Sequence, residues 1–393
     1  MDICRHDDLC GGCAYQGVPY DEQLSIKEKE VLGYMKENLI SAGQTEHIDG
    51  CERICGYRNK MEYTFGDLEK GGEMTLGMHK KGHFMSVVTV DGCMLVPADF
   101  NIILSAVLEF CKTKGYAKYH KRSHSGLMRN LIVRRGENTH ELLINIVTTS
   151  LPGFDDDAFV SMICSLTLEN TVVGILHTVN DDVADTIKCQ DMRILRGRDW
   201  YMEKIMGLDF KVSAFSFFQT NVPAAERLYR EAIALLDDTA GKVIFDLFCG
   251  TGTITQALAA GAKKVVGVEI VEDAVAAARS NAALNGLDNC EFICGDVYKI
   301  LKQINEGTIE GIPDPDVIVV DPPRIGVTPK AMEKILAYGV KQLLYISCNP
   351  KTLFKDLAAA VQRGYAVRYL KPFDNFPMTK HVECVCLLGM QHR

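Results

Sequence analysis

The feature that most constrains the fold is a strict alternation, after Phe215, of short apolar runs with helical patterns. KVIFDLF, KVVGVEI, CEFICGD, VIVVDPP and QLLYIS read as strands, separated by stretches such as AAERLYREAIALL and DAVAAARSNAALNG that carry helical spacing. Near-continuous apolar strands joined by helices belong to a parallel sheet covered on both faces, so an α/β domain with a doubly wound sheet is expected over residues 216–393. Such a sheet binds its ligands at the carboxyl ends of its strands.

The residues at those strand ends therefore carry the functional reading. DLFCGTGT ends the first strand, where Gly250 and Gly252 permit a tight turn and close backbone approach to a nucleotide ligand. Glu269 ends the second strand, about twenty residues on, where an acid can accept from both hydroxyls of a ribose. Asp296 ends the third and is placed to accept from an adenine amino group. The motif lacks the Lys-Ser/Thr of a phosphate loop and has fewer spaced glycines than the usual dinucleotide fingerprint. DPPR (321–324) ends the fourth strand, with two prolines forming a rigid lip. YISCNP (345–350) ends the fifth, and Asn349-Pro350 halts the strand directly after Cys348. By itself Cys348 is either core filling or a nucleophile at a strand mouth. FDNFPMTKHVE (373–383) adds Asp374, His381 and Glu383, a set that standing alone is equally a solvated loop.

The series DxFxGxG, strand-end Glu, strand-end Asp, then DPPR resembles an S-adenosylmethionine-dependent methyltransferase with a Rossmann-like fold. Enzymes that methylate exocyclic amines carry an aromatic residue where this chain has Arg324, which points away from amine methylation. Together with SFFQTN (216–221), YISCNP and DNFPMTKHVE, the order of motifs resembles the RNA uracil-5-methyltransferases, and the likeness spans nearly the whole chain. It implies Cys348 as nucleophile on carbon 6 of uracil, Glu383 as the base that removes the carbon 5 proton, and Asp321 beside both cofactor and base. It also implies Gln219, Phe248, Gly250, Gly252, Glu269, Asp296 and Asp321 around S-adenosylmethionine, and Phe217 packed on the target base.

The remaining chain is consistent with an RNA substrate. Residues 51–208 show short β-like runs and two helices, near 98–113 and 155–168, and read as an α+β domain with antiparallel strands. A helix is expected over 21–40. The expected organisation is a cluster-binding segment (1–15), a helix packed on the catalytic domain (16–48), a central RNA-binding α+β domain (49–215) and the catalytic domain (216–393). Residues 112–135 carry eight Lys/Arg and no acid, interleaved with Tyr116, Tyr119, His120 and His124. Cations for phosphates and rings for bases suit RNA, although a solvated basic face is the plain alternative. Arg58 and Lys60, Arg129 of the basic run, Phe217 and His381 make up the expected substrate-binding set. The target uridine must be flipped out or sit in a single-stranded loop.

Fifteen cysteines are many for a chain with no signal segment and no apolar run near the ~18 residues of a membrane span. A cytoplasmic, monomeric protein with no membrane partner is expected, so some thiols should be ligands or catalytic groups. Cys4, Cys10 and Cys13 cluster around a Gly-Gly pair, with Cys93 as fourth ligand by resemblance; Cys51 and Cys55 compete for that place. Four thiolates suit zinc or iron and sulfur, and the 4Fe-4S choice rests on the resemblance. Family members with this cluster mostly act on 23S ribosomal RNA, which makes rRNA processing the expected setting; transfer RNA, or an inactive RNA-binding homologue, is the alternative. Many members also carry an N-terminal β-barrel of TRAM/OB type; since this sequence begins almost at Cys4, that module is expected to be absent or to have been removed.

Overall fold

A computed structural model describes residues 3–184 and 187–391. The chain forms two compact units: Met1–Val18, Arg53–Lys204 and Lys211–Phe215 in the first, Pro19–Glu52, Ile205–Phe210 and Ser216–Arg393 in the second. The second unit contains α1 (Tyr20–Glu37) and β1 (Ala42–Thr45).

The first unit holds β2 (Lys60–Gly66), β3 (Thr75–Lys80), β4 (His83–Thr89), α2 (Ala98–Thr113), β5 (Met128–Arg135), β6 (Glu141–Thr148), α3 (Asp156–Cys164), β7 (Thr171–Val179) and β8 (Asp191–Gly197). They make a seven-stranded sheet in the order β4-β3-β2-β5-β6-β7-β8. Helix α2 buries Phe100, Ile103, Leu104, Val107 and Cys111, a stripe at helical spacing, among sheet residues such as Tyr63, Leu131 and Ile144. The all-antiparallel expectation needs correction, because β6 and β7 run parallel. Helix α3 lies between them in the chain and supplies the crossover that a parallel pair requires. That helix ends at Cys164, short of the expected 168. Asp99, fully buried, accepts from the backbone N–H groups of Glu169 and Asn170, which draws the chain out of helical geometry.

A two-stranded sheet of β9 (Trp200–Ile205) and β10 (Leu208–Ser213) precedes the alternating region. There α4 (Val222–Ala234), β11 (Val243–Leu247), α5 (Thr253–Ala259), β12 (Lys264–Glu269), α6 (Glu272–Leu284), β13 (Cys290–Cys294), α7 (Val297–Asn305), β14 (Val317–Val320), α8 (Pro329–Ala337), β15 (Gln342–Ser347), α9 (Pro350–Gln362), β16 (Tyr365–Phe373) and β17 (Glu383–Met390) follow in turn. The eight-stranded sheet has the order β1-β16-β17-β15-β14-β11-β12-β13. Strands β11 to β15 are parallel, as the βα alternation requires. Strand β17 is antiparallel to both neighbours, since a loop rather than a helix joins it to β16. The order reverses at β11 and β14, so the sheet opens a crevice at their carboxyl ends.

Helix α1 stops at Glu37, and Leu39 turns outward with φ 55° and 91% exposure. Its buried stripe is Gln23, Lys27 and Val31, two of them polar. Among the described residues no helix is long and apolar enough to cross a membrane.

Candidate active site

Five parallel strand ends and one antiparallel strand start build the site, all within the second unit. At the end of β11, Phe248 takes φ 68°, a left-handed conformation that a bulky side chain rarely adopts. Gly250 and Gly252 follow with φ 54° and 78°. A Cβ on Gly252 would stand 2.8 Å from the Phe292 ring, so this glycine is required by both backbone and space. Glu269, ending β12, accepts from Gly250 N–H at 3.1 Å and from Val271 N–H at 2.9 Å. This carboxylate thus braces the glycine turn, with lone pairs remaining for a ligand. Asp296 caps α7, accepting from Lys299 N–H at 3.1 Å, a structural role that spacing alone did not disclose.

Beneath the turn lies Asp246, fully buried, with Oδ2 accepting from Thr255 Oγ1 at 2.5 Å and no partner for Oδ1 among the described residues. Burial, with Glu269 adding repulsion, pushes its carboxyl up to about 7. Asp321 follows β14, its N–H bonding to Leu247 O at 3.3 Å. Burial and the charges of Glu383 and Asp246 hold Asp321 well above the usual carboxylate range. Tyr229, buried under the same acids, accepts from Gln219 Nε2 at 2.8 Å. Sequence reasoning missed Asp246 and Tyr229; the first was visible only as the leading acid of the glycine motif. Glu269 raises Asp246, and Asp246 with Glu383 raises Asp321, so this concentration of acids makes a site suited to a cationic ligand.

Cys348 sits one residue past β15. Asn349 fixes its surroundings: the amide caps α9 by accepting from Lys351 N–H at 3.2 Å and donates to Arg324 O at 2.8 Å. Ser347 Oγ accepts from Asn349 N–H at 3.1 Å. The β15 and β17 register pairs Ser347 with Cys384, so one step further sets Cys348 opposite Glu383. Burial, then Glu383 and Asp321, pushes the Cys348 thiol up to about 11, and Arg324 opposes them. Burial pushes Glu383 up to about 7, again opposed by Arg324. Arg324 Nη2 lies 3.2–3.3 Å from both ring nitrogens of His381, above the imidazole rather than along one bond.

Of the three phenylalanines near Gln219, Phe218 is core, 5.7 Å from Phe210, while Phe217 is 71% exposed. Cys249 packs with Phe292 and Val275, away from chemistry. Asp374 is no solvated loop residue: it is wholly buried and paired with Lys27 at 2.6 Å.

The remaining expected substrate residues lie in the first unit. Arg129 is buried; its guanidinium donates to Asn180 O and Asp182 O at 2.7 Å and Ala184 O at 3.2 Å, so it holds a loop instead of offering itself to phosphate. The basic run is similarly broken up. Arg134 and Arg135 are buried, and Lys112, Lys114 and Lys118 pair with Glu73, Asp155 and Asp67. Arg58 and Lys60 are half-buried, and Lys60 pairs with Glu62 at 2.6 Å.

Cys4, Cys10, Cys13 and Cys93 come together in this unit, close enough that Cys93, pushed up to about 12 mainly by burial, also feels the other three. Gly12 N–H points at Cys10 Sγ (3.3 Å) and Gln16 Nε2 at Cys13 Sγ (3.5 Å). Even so, among the described residues no group of three or more Cys, His, Asp or Glu stands in metal-holding geometry.

Comparison with known proteins agrees with this geometry. Residues 191–391 match the family model described as tRNA (Uracil-5-)-methyltransferase. An uncharacterized RNA methyltransferase of Clostridium tetani is 45% identical over 382 residues, covering 97% of this chain and 82% of that protein. Another, of Caldanaerobacter subterraneus subsp. tengcongensis, is 46% identical over 385 residues, covering 98% and 84%. The crystal structure of Pyrococcus abyssi tRNA (uracil-54, C5)-methyltransferase in complex with S-adenosyl-L-homocysteine matches with a TM-score of 0.77 and 25% identity, covering 97% of this chain and 86% of that one. The chain belongs to the RNA uracil-5-methyltransferase family, enzymes that use S-adenosylmethionine to methylate carbon 5 of uridine in RNA.

Proposed function

We propose that this enzyme methylates a uridine in 23S ribosomal RNA through a covalent Cys348 adduct. The observation that supports the mechanism is that Cys348, just past the last β15–β17 pair at the sheet's carboxyl edge, feels the charges of both Glu383 and Asp321. Carbon 5 of uracil is a weak nucleophile. The Cys348 thiol first gives up its proton to solvent, with the Arg324 guanidinium favouring the thiolate. The thiolate then forms a bond to carbon 6, and the ring electrons move into an enolate whose carbon 5 is nucleophilic. S-adenosylmethionine, when bound, would supply an electrophilic methyl group on a cationic sulfonium, whose sulfur keeps the electron pair of the broken methyl–sulfur bond as neutral S-adenosylhomocysteine. Asp246, Asp321 and Glu383 favour that positive charge, Glu269 and Gln219 fit the cofactor's polar groups, and Phe248 lines the cleft. After transfer, Glu383 takes the carbon 5 proton; the carbon 6 to sulfur bond breaks and the thiolate leaves with the electron pair. Exposed Phe217 would pack on a flipped uracil, with His381 beside it.

Cys4, Cys10, Cys13 and Cys93 suit a 4Fe-4S cluster by donor type, and the first three all act on Cys93, but their positions do not form a metal-holding geometry. Such a cluster would order the N-terminal segment; the chemistry needs no electron transfer. The ribosomal target rests on this cysteine set. Transfer RNA is the second reading, favoured by the likeness to the Pyrococcus abyssi enzyme over 97% of the chain.

RNA carrying 5-fluorouridine tests the mechanism, because fluorine cannot leave as a proton does. The protein should form an adduct stable on a denaturing gel, and Cys348→Ala should not; an adduct with that variant overturns the nucleophile. Labelled S-adenosylmethionine with separate pools of 23S ribosomal RNA and transfer RNA, followed by mapping of the labelled nucleotide, decides the substrate.

A further inference from the structure

The polar buried stripe of α1 has no place in the mechanism above, yet each of its polar members is hydrogen-bonded to the 374–378 segment. Lys27 and Asp374 are both wholly buried, with Nζ donating to Asp374 Oδ1 at 2.6 Å and to Phe376 O at 3.2 Å. Tyr20 Oη donates to Asp374 Oδ2 at 3.0 Å and accepts from Cys51 N–H at 2.6 Å. Gln23 brackets Met378, accepting its N–H at 3.0 Å and donating to its sulfur at 3.2 Å. Asn221, the α4 cap, donates to Asn375 O at 2.7 Å.

Two physical points argue that this network exists for geometry. A buried ion pair is poor value as a stabiliser, since apolar residues of similar volume do as well; what it adds is direction. Met378 is also held at φ 67°, in a turn that Thr379 N–H closes onto Phe376 O at 3.2 Å. Pro377 followed by a positive φ is the pattern of a type II turn, where glycine is normal, so Met378 stays there only because its surroundings hold it. The strained turn leads straight into the site. Thr379 Oγ1 accepts from His381 N–H at 3.2 Å, the Phe376 ring meets His381 edge-on at 6.1 Å, and His381 lies under Arg324. Glu383 starts the strand immediately beyond.

We propose that Tyr20, Gln23 and Lys27 are positioning residues, which lock the 374–379 turn so that Glu383 meets the carbon 5 proton. The proposal rests on the reading of Glu383 as the base. It predicts a selective defect: with the turn loosened, proton removal suffers while methyl transfer into the adduct does not. Displacement of a reacting group by about 1 Å costs on the order of 10²-fold.

The test uses the full chain, labelled S-adenosylmethionine and in vitro transcribed 23S ribosomal RNA or bulk transfer RNA, whichever the wild-type protein methylates. Lys27→Met should slow release of the methylated covalent adduct on the order of 10²-fold, with first-turnover incorporation within about twofold of wild type. Tyr20→Phe should show a smaller defect of the same kind, and it carries the test if Lys27→Met does not fold. Trypsin cleavage after exposed Lys380 should also rise in both variants. Wild-type release from a folded variant, or a drop in both steps alike, overturns the positioning role. Failure of wild-type protein to form any adduct would instead sink the nucleophile reading; the Lys380 cleavage rate then still judges the lock, since unchanged cleavage in both variants refutes it.

Discussion

If Glu383 removes the carbon 5 proton, release of the methylated adduct must follow its ionisation. Burial pushes this carboxyl up to about 7, with Arg324 pulling the other way. An acid of that pKa is about nine-tenths ionised at pH 8 and about one-eleventh at pH 6, so release should slow about tenfold across that interval. An ordinary glutamate near 4.3 would be ionised at both, and the rate would be almost flat. Adduct formation should behave differently, because Cys348 is pushed up to about 11 and its thiolate fraction rises about tenfold per pH unit through pH 6–9. Arg324 lowers both groups, so Arg324→Met should move the release midpoint upward by about one pH unit, the lower end of the effect of a nearby opposite charge. The assay forms the adduct at pH 8, jumps the pH, and follows free methylated RNA on denaturing gels. A release rate unchanged between pH 8 and 6, or a midpoint that falls in the Arg324 variant, would refute the assignment.

Other perturbations separate binding roles from structural ones. Gly252→Ala should destabilise the second unit by about 1–2 kcal/mol through its positive φ alone, with further loss from the Phe292 contact, read as a lowered urea midpoint and weaker S-adenosylhomocysteine binding. Arg129→Met should lower the stability of the first unit by about 1–3 kcal/mol, through orphaned carbonyls, while leaving the salt dependence of RNA binding intact. Arg122→Ala, at an exposed cation of the same run, should reduce that salt slope by about one unit with no change in melting. If Cys4, Cys10, Cys13 and Cys93 hold the proposed cluster, Cys13→Ala should lower the iron content of protein purified without oxygen and weaken RNA binding; full binding by an iron-free protein would remove any ordering role for such a cluster.

The parallel sheet was legible because its signal is local. VIVV and QLLYIS are apolar on both faces, each is followed by a helix, and the glycine turn marks where the order begins. Cys348, Glu269 and Asp321 were legible for the same reason, since a strand end is a position in sequence as well as in space. The antiparallel insertion of β17 was not, because the loop before it looks like any polar connection. The basic run misled through a different cause. Composition counts charges without their partners, and Glu73, Asp155 and Asp67, which neutralise three of its lysines, lie outside the run.

The α1 stripe shows the deeper limit of pattern reading. Periodicity detects apolar faces, so YDEQLSIK yields Leu24 and Ile26 as the residues of interest, and Ile26 is exposed while Gln23 and Lys27 are buried. A buried lysine is tolerable only where an acid waits for it, and here the acid stands 347 positions away in a loop that reads as solvated. Nothing in either segment announces the other. The pair becomes intelligible only when β1 joins β16 at the sheet edge and Asp374 N–H bonds to Asp49 O at 2.9 Å, which brings the chain following α1 against the start of the turn. Polar groups buried in this way are the hardest to read from sequence, because their burial contradicts their composition and their partners are set by topology.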